Sequence, residues 1–397
     1  MAAPPALILG GAFGALPIAR SLRRQRIAVH CYDRDPDAVA FSSRFVTPFA
    51  PGLEGEALLH QLDAFSRGAG RRPVLFVTSD RHLELLARHF DDLSSWFAVL
   101  YRDADIVGAL LSKESTAALF ADRGVPTPTT RVIRAREDLQ AVTPPIVVKP
   151  LVQTAWTESP EMMRATSRFK ALRLITKEDL DRWADRLLLA GPFVAQQLVR
   201  AGSDDRYYFV GCRSRAGEPI AQFTGKKIRT MHDGMGSETV LRSDDDPEVR
   251  ALGLEALERI GAVGVAGVDI MRDAPTGKLY VIEINHRFGL SDGILMKAGI
   301  DLPHLYYRLA LGEEVAPARA LRPAEWRSLL NDLALRRRTT TSRTAYAIDL
   351  LAQVARRQIQ INELDPLDPG PTLWALRAWG YTAESIASKI AARVRTK

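Results

Sequence analysis

The sequence has only two cysteines, Cys31 and Cys212, far apart and without metal-ligand spacing. That argues against a disulfide framework and a cysteine zinc site, and it fits a reducing cytoplasm. Long apolar runs are missing as well: no stretch approaches the roughly 18–20 apolar residues of a membrane span. The opening MAAPPALILGG has no basic region ahead of its short apolar stretch, so it reads as a strand and not as a secretion signal. No sign of charge dominates, since 54 basic against 47 acidic residues leave +7. Such an excess suits anionic ligands, whereas nucleic-acid binding needs a clustered basic face or interleaved aromatics. The nearest cluster, RRRTTTSRT at 336–344, reads as a solvated loop. Internal repeats and low-complexity segments are absent from the sequence.

What is present is the composition of a soluble globular protein, 46% hydrophobic and 25% charged. At 397 residues the chain is long enough for two or three domains. Its first hundred residues alternate ALILGG, ALPIARSLRRQ, IAVHCYD, VLFVTSD and RHLELLARHF, the strand–helix order of a parallel, doubly wound sheet. A helix is expected from near Ser112, stopped by Gly124, Pro126 and Pro128. PPIVVKP reads as a strand, and the polar stretch after it, to about Lys170, as a mobile loop. Beyond lie a helix (KEDLDRWADRLLL), several antiparallel strands, the long helix PEVRALGLEALERIG and a hairpin with Pro275 and Gly277 in its turn. The tail after about residue 320 reads as helical around DPLDPGP.

The hairpin's return strand, KLYVIEINHRFG, ends with Glu283, Asn285 and Arg287 at alternate positions. Strand side chains alternate between faces, so these three project from one side, roughly 6.6 Å apart. A turn centred near residue 276 puts Asp269 opposite Glu283, on the face of Asn285; a one-residue slip would reverse it. Two carboxylates and an amide oxygen form a hard-cation site of few ligands, which suits a Mg²⁺ that keeps waters and shares phosphate oxygens. Lys149 ends an apolar strand and Lys113 precedes a helix; each is placed to reach a phosphate.

In this order, the segments SKESTAALFADRGVPTPTT, VVKP, FVAQQLVRAGSD and EINHRF resemble those of the ATP-grasp enzymes. The nearest type is the carboxylate–amine ligases, with the carbamoyl-phosphate synthetase and biotin carboxylase folds. The resemblance runs from about residue 5 to 315. It implies α/β and α+β architecture: a Rossmann-like parallel-sheet domain over 1–105 and a two-lobed ATP-grasp domain over 106–317. The lobes would be 106–190 and 191–317, followed by a helical extension over 318–397. It further implies that Lys113 and Lys149 bind the phosphates of ATP. Gln196, Gln197 and Leu198 would line the adenine, and Asp204 or Asp205 the ribose. Asp269, Glu283 and Asn285 would hold Mg²⁺ or Mn²⁺, Arg287 would steady the transferring group, and Lys227 and Arg229 would approach a substrate carboxylate.

The implied activity joins a small carboxylate to an amine through an acyl phosphate, in the cytoplasm, without nucleic acid or membrane. The loop after Lys149 would close to exclude water. That loop departs from the family pattern because it has no glycine, which puts its phosphate contacts in question. The hinge carries amides in place of the usual acid. A bicarbonate-activating carboxylase is the alternative within enzymes. GGAFG at 10–14, with Asp33 about 20 residues on, suggests a nicotinamide oxidoreductase, but the spacing falls short of G-x-G-x-x-G. A nucleotide-binding protein without turnover is the third reading. The tail, with Trp374 and Trp379, is expected to pack on its parent domain; capping the site or forming a homodimer face are its other readings.

Overall fold

The structure is a computed structural model that describes residues 3–151, 156, 162, 171–232, 235–320, 322–336, 348, 352, 355 and 358–378. Three sheets organise these residues. Strands β1 (Ala6–Leu9), β2 (Val29–Tyr32), β3 (Thr47–Pro48) and β4 (Val74–Val77) form a parallel sheet in the order β3-β2-β1-β4. β1 and β4 are buried along their whole length, which is why ALIL and VLFV are continuous apolar runs and not alternating ones.

Strands β5 (Thr130–Ile133), β6 (Ile146–Pro150), β7 (Leu172–Leu174) and β8 (Phe193–Gln197) form a small antiparallel sheet, β5-β8-β6-β7. The helix Lys177–Leu189 begins on a Thr176–Asp179 capping box and places Leu180, Ala184 and Leu187 in this sheet's core. Each fully buried leucine there contributes roughly 1.5–3 kcal/mol.

The third sheet joins β9 (Arg206–Arg213), β10 (Pro219–His232), β11 (Met235–Asp244), β12 (Gly264–Arg272) and β13 (Leu279–Asn285). To these it adds β14 (Ala318–Arg319), β15 (Glu325–Arg327) and β16 (Ile359–Ile361), in the order β13-β12-β9-β10-β11-β15-β16, with β14 beside β10. The tail therefore contributes strands as well as the helices Leu329–Arg336 and Gly370–Ala378. Short as they are, these strands pair with β11 and with each other, and no periodicity in three residues could announce that.

The parallel sheet and the large sheet share one core, in which Ala6, Ile8, Val74 and Phe76 meet Val210, Cys212, Phe288 and Tyr306. The backbone N–H of Phe288 donates to Val77 O at 3.1 Å, so the segment after β13 is fastened to the end of β4. Trp374 packs edge-on to Phe13 and donates from Nε1 to Asp37 O, on the parallel-sheet side. Trp379 lies outside the described residues, as does most of the segment from Val152 to Lys170 expected to close over the site. Both cysteines are buried and free.

Candidate active site

The hairpin has the register its sequence symmetry predicts. Asp273 accepts hydrogen bonds from the N–H groups of Thr276 and Gly277, and Gly277 takes the left-handed φ of 70° that the turn requires. Asp269 then lies opposite Glu283, and Gly267 opposite Asn285. A bulge follows Asp269. Gly267 cannot be larger, because an added Cβ would collide with the Tyr208 hydroxyl.

From β10, Lys227 reaches over the Tyr208 ring to Asp269 Oδ1 at 2.7 Å and Glu238 Oε2 at 3.2 Å. Ser291 donates to the other oxygen of Glu238 at 2.6 Å. Burial disfavours the Lys227 ammonium, yet Asp269 and Glu238 outweigh it and hold its pKa above the usual lysine value. Of the two acids, Glu238 gains most: burial pushes it up, but Lys227 and Ser291 bring its carboxyl below the ordinary value. Asp269 stays raised by burial, with Lys227 opposing and Glu238 and Glu283 adding to the rise. Asp269 is thus the less satisfied of the two.

Arg287 donates from Nε to Asp80 Oδ1 at 2.6 Å and from Nη2 to Asn285 Oδ1 at 3.2 Å. Burial opposes its charge and the Asp80 contact outweighs it. Asp80 begins the helix Asp80–Arg88, whose N-cap is Ser79, at the carboxyl end of β4. Ser79 caps that helix, accepting from His82 N, while Asp80 reaches the far motif.

On the small sheet, Lys149 donates to Gln196 Oε1 at 3.1 Å, and Gln196 Nε2 donates to Thr130 Oγ1 at 3.1 Å. Burial lowers the pKa of Lys149; Glu283 and Asp269 act against this and Lys113 adds to it. The same electrostatics place Lys113, Lys149, Glu283 and Asp269 in one neighbourhood. Lys113 occupies the first position of the helix Lys113–Asp122.

Other expected residues are placed differently. Arg229 is held by Asp332 through two hydrogen bonds of 2.7 and 2.9 Å. Gln197 is exposed, and its N–H and that of Leu198 donate to Thr129 O and Pro145 O. Asp204 is exposed, while Asp205 accepts from Gly202 N. Among the described residues, Gln197, Leu198, Asp204 and Asp205 make no hydrogen bond to Lys113 or Lys149. Asp33 accepts from Gly11 N at 2.6 Å, so the acid of the GGAFG stretch is engaged by the glycine loop itself.

Among the described residues no group of three or more His, Cys, Asp or Glu is gathered for a metal ion. Asp269 and Glu283 facing each other, with Asn285 two residues on, nevertheless fit a hard cation that takes few protein ligands and keeps waters. Glu283 is exposed and takes no ion pair among the described residues. Glu238, Asp332 and the Tyr208–Asp292 pair (2.9 Å) were not identified from sequence. Their only local signal is a polar residue interrupting an apolar stretch, as in SETVL.

Residues 219–291 match the ATP-grasp domain family. D-aspartate ligase from Enterococcus faecium is 23% identical over 58% of this chain and 57% of its own. The chain therefore spans a little over half the length of that relative. Among solved structures, the N5-carboxyaminoimidazole synthetase from Staphylococcus aureus complexed with ADP superposes at a TM-score of 0.62, with 14% identity over 81% of each chain. The L-amino acid ligase from Bacillus licheniformis does so at 0.61, with 16% identity, over 82% of this chain and 79% of that one. The chain has the ATP-grasp fold, with a parallel sheet preceding the small antiparallel sheet and the large, mainly antiparallel one. Within that fold its sequence resembles the ligases. No helix among the described residues is long and apolar enough to cross a membrane.

Proposed function

We propose that the chain is an ATP-dependent carboxylate–amine ligase that activates a small carboxylate as an acyl phosphate and couples it to an amine, releasing ADP and phosphate. The observation that carries this reading is Lys149: a partly buried ammonium with a neutral amide as its hydrogen-bond partner, beside the acids Asp269 and Glu283. A phosphate held between them would receive the lysine's charge from one side and face the acids on the other.

A carboxylate is a poor electrophile, so it must first gain a leaving group. Its oxygen attacks the γ-phosphorus of ATP, the bond to the β–γ bridging oxygen breaks, and ADP departs. The amine then attacks the acyl carbon, loses a proton, and phosphate leaves. Phosphoryl transfer depends on positioning and charge stabilisation. Lys113 and Lys149 bind and orient the phosphates in this reading, and Arg287, anchored by Asp80, steadies the transferring group. Asp269, Glu283 and Asn285 would hold Mg²⁺ or Mn²⁺, which supplies charge neutralisation on the phosphate oxygens when bound. Gln196, Gln197 and Leu198 would line the adenine, with Leu198 contributing its carbonyl because its N–H is engaged. Asp204, exposed and without the Gly202 contact, is the better ribose partner.

Lys227 and Arg229 belong to the substrate side, through the polar cluster they order. The domain divisions that accompany this reading are 1–105, 106–317 and 318–397, and a cytoplasmic location suits two buried free cysteines and an ATP substrate. Small-molecule acids and amines are the partners. The test is Mg²⁺-dependent release of ADP and phosphate from pools of carboxylates, with and without amines. Turnover that needs both, and falls by at least about a hundredfold in Glu283→Ala, supports the ligase. Turnover with bicarbonate alone replaces it with a carboxylase, and no release from any pool removes the reading.

A further inference from the structure

Several buried polar groups of the tail lie outside the chemistry above. Asn362, just past β16, is 1% exposed. Its Nδ2 donates to Leu290 O at 2.7 Å and Phe13 O at 3.3 Å. Its Oδ1 accepts from Trp326 Nε1 at 3.3 Å and Gln360 Nε2 at 3.4 Å. An amide has two donors and two lone pairs, and here all are used. One side chain therefore ties the edge of the large sheet to the glycine loop after β1 and to the loop three residues beyond Arg287. The fit is close, since a Cβ added at Gly293 would lie 3.2 Å from Asn362 Oδ1.

A second contact from the tail reaches the same region independently. Asp332 is fully buried and holds Arg229, two residues after Lys227. Another tail anchor grips the parallel-sheet side: Asp368 receives Arg20 Nε, Ser43 Oγ and the Arg44 N–H, while Arg20 Nη1 donates to the backbone carbonyl of Asn362 at 2.8 Å, so Asp368 supports the main chain at Asn362 but none of its side-chain bonds.

We propose that Asn362 is a positioning residue. It fixes the spacing between the Phe13 and Leu290 loops, and through the latter it holds the segment that runs from Arg287 to Asp292. Within that segment Asp292 accepts from Gly289 N at 2.7 Å and from the Tyr208 hydroxyl, so the loop's shape is passed directly to the cluster beneath Lys227. The tail is then part of the working site. This rests on the ligase reading insofar as Arg287 faces substrate.

The test compares amide hydrogen exchange in full-length wild type, Asn362→Leu, Asn362→Asp and Asp368→Asn. Both Asn362 variants lack the two N–H donors, and the aspartate keeps size and acceptor should the leucine variant fail to fold. Exchange in segments 12–16 and 288–295 is expected to rise at least about tenfold in the Asn362 variants. Asp368→Asn lowers the melting temperature but leaves those two segments protected. MgADP affinity, read by calorimetry, stays within about twofold of wild type in all variants. The KM for acid or amine rises in the Asn362 variants only. Wild-type protection of both loops in the Asn362 variants, or equal loosening by Asp368→Asn, overturns the proposal. If wild type joins no acid to an amine while the exchange pattern is as expected, the ligase reading falls and the positioning role stands.

Discussion

Lys149 and Lys227 are both lysines on strands of an ATP-grasp fold, and their surroundings differ in kind. Lys227, on the large sheet, is 7% exposed and paired with two carboxylates at 2.7 and 3.2 Å. Lys149, on the small sheet, has a neutral glutamine as its partner at 3.1 Å, and its pKa is lowered where that of Lys227 is raised. A buried cation with its counter-charges in place belongs to the architecture. One held beside carboxylates without touching them has capacity left for an anion from outside. In the proposed function the contrast marks Lys149 as the lysine with charge left for a phosphate and Lys227 as the one whose charge orders the polar cluster on the substrate side.

The contrast breaks most visibly at Lys227. Lys227→Met leaves the buried Glu238 and the partly exposed Asp269 without their cation and is expected to lower stability by about 3 kcal/mol, read from the denaturant midpoint. Lys149→Met, in contrast, removes a charge that no carboxylate among the described residues pairs with. Its stability should stay within about 1 kcal/mol of wild type, while ADP release falls about a hundredfold or more. Equal destabilisation by the two substitutions would erase the distinction drawn here.

The smallest effect concerns the turn that sets the hairpin. Hydrogen bonds from Arg200 hold the Asp273 carboxyl down to about 2, with burial opposing and Thr276 assisting. A carboxyl depressed on folding stabilises above its unfolded pKa of roughly 3.9 and loses that contribution as pH falls through the folded value. Asp273→Asn should therefore lower stability near pH 7 by about 1 kcal/mol, after allowance for the solvent around Arg200. The gap from wild type should close as the pH is taken from about 4 to about 2. A gap independent of pH would assign the effect of Asp273 to turn geometry alone.

Local sequence carried much of this molecule. The hairpin was legible because its turn residues and its two apolar strands are neighbours in the chain, so one centre at residue 276 fixes Asp269 against Glu283. The parallel sheet was legible for the same reason, strand and helix alternating without a gap. What escaped is long-range. Arg287 meets Asp80 across 207 positions and Arg229 meets Asp332 across 103, and neither pairing leaves a periodic trace. The β-strands of the tail escaped because three residues are too few to show alternation. Glu238 escaped for a different reason: its role is defined by Lys227 and Ser291, on other segments of the sheet and loop.

The pairing of β11 with β15, and of β15 with β16, bears on how the chain can be shortened. A version ending near residue 320 would keep every motif of the ATP-grasp domain and still bare the flank of β11 at Val240–Arg242, where β15 pairs with it. That flank offers unpaired N–H and C=O groups to any passing extended segment, which is the geometry from which intermolecular sheets grow. The residues after 320 are thus a guard against self-association as much as a part of the fold.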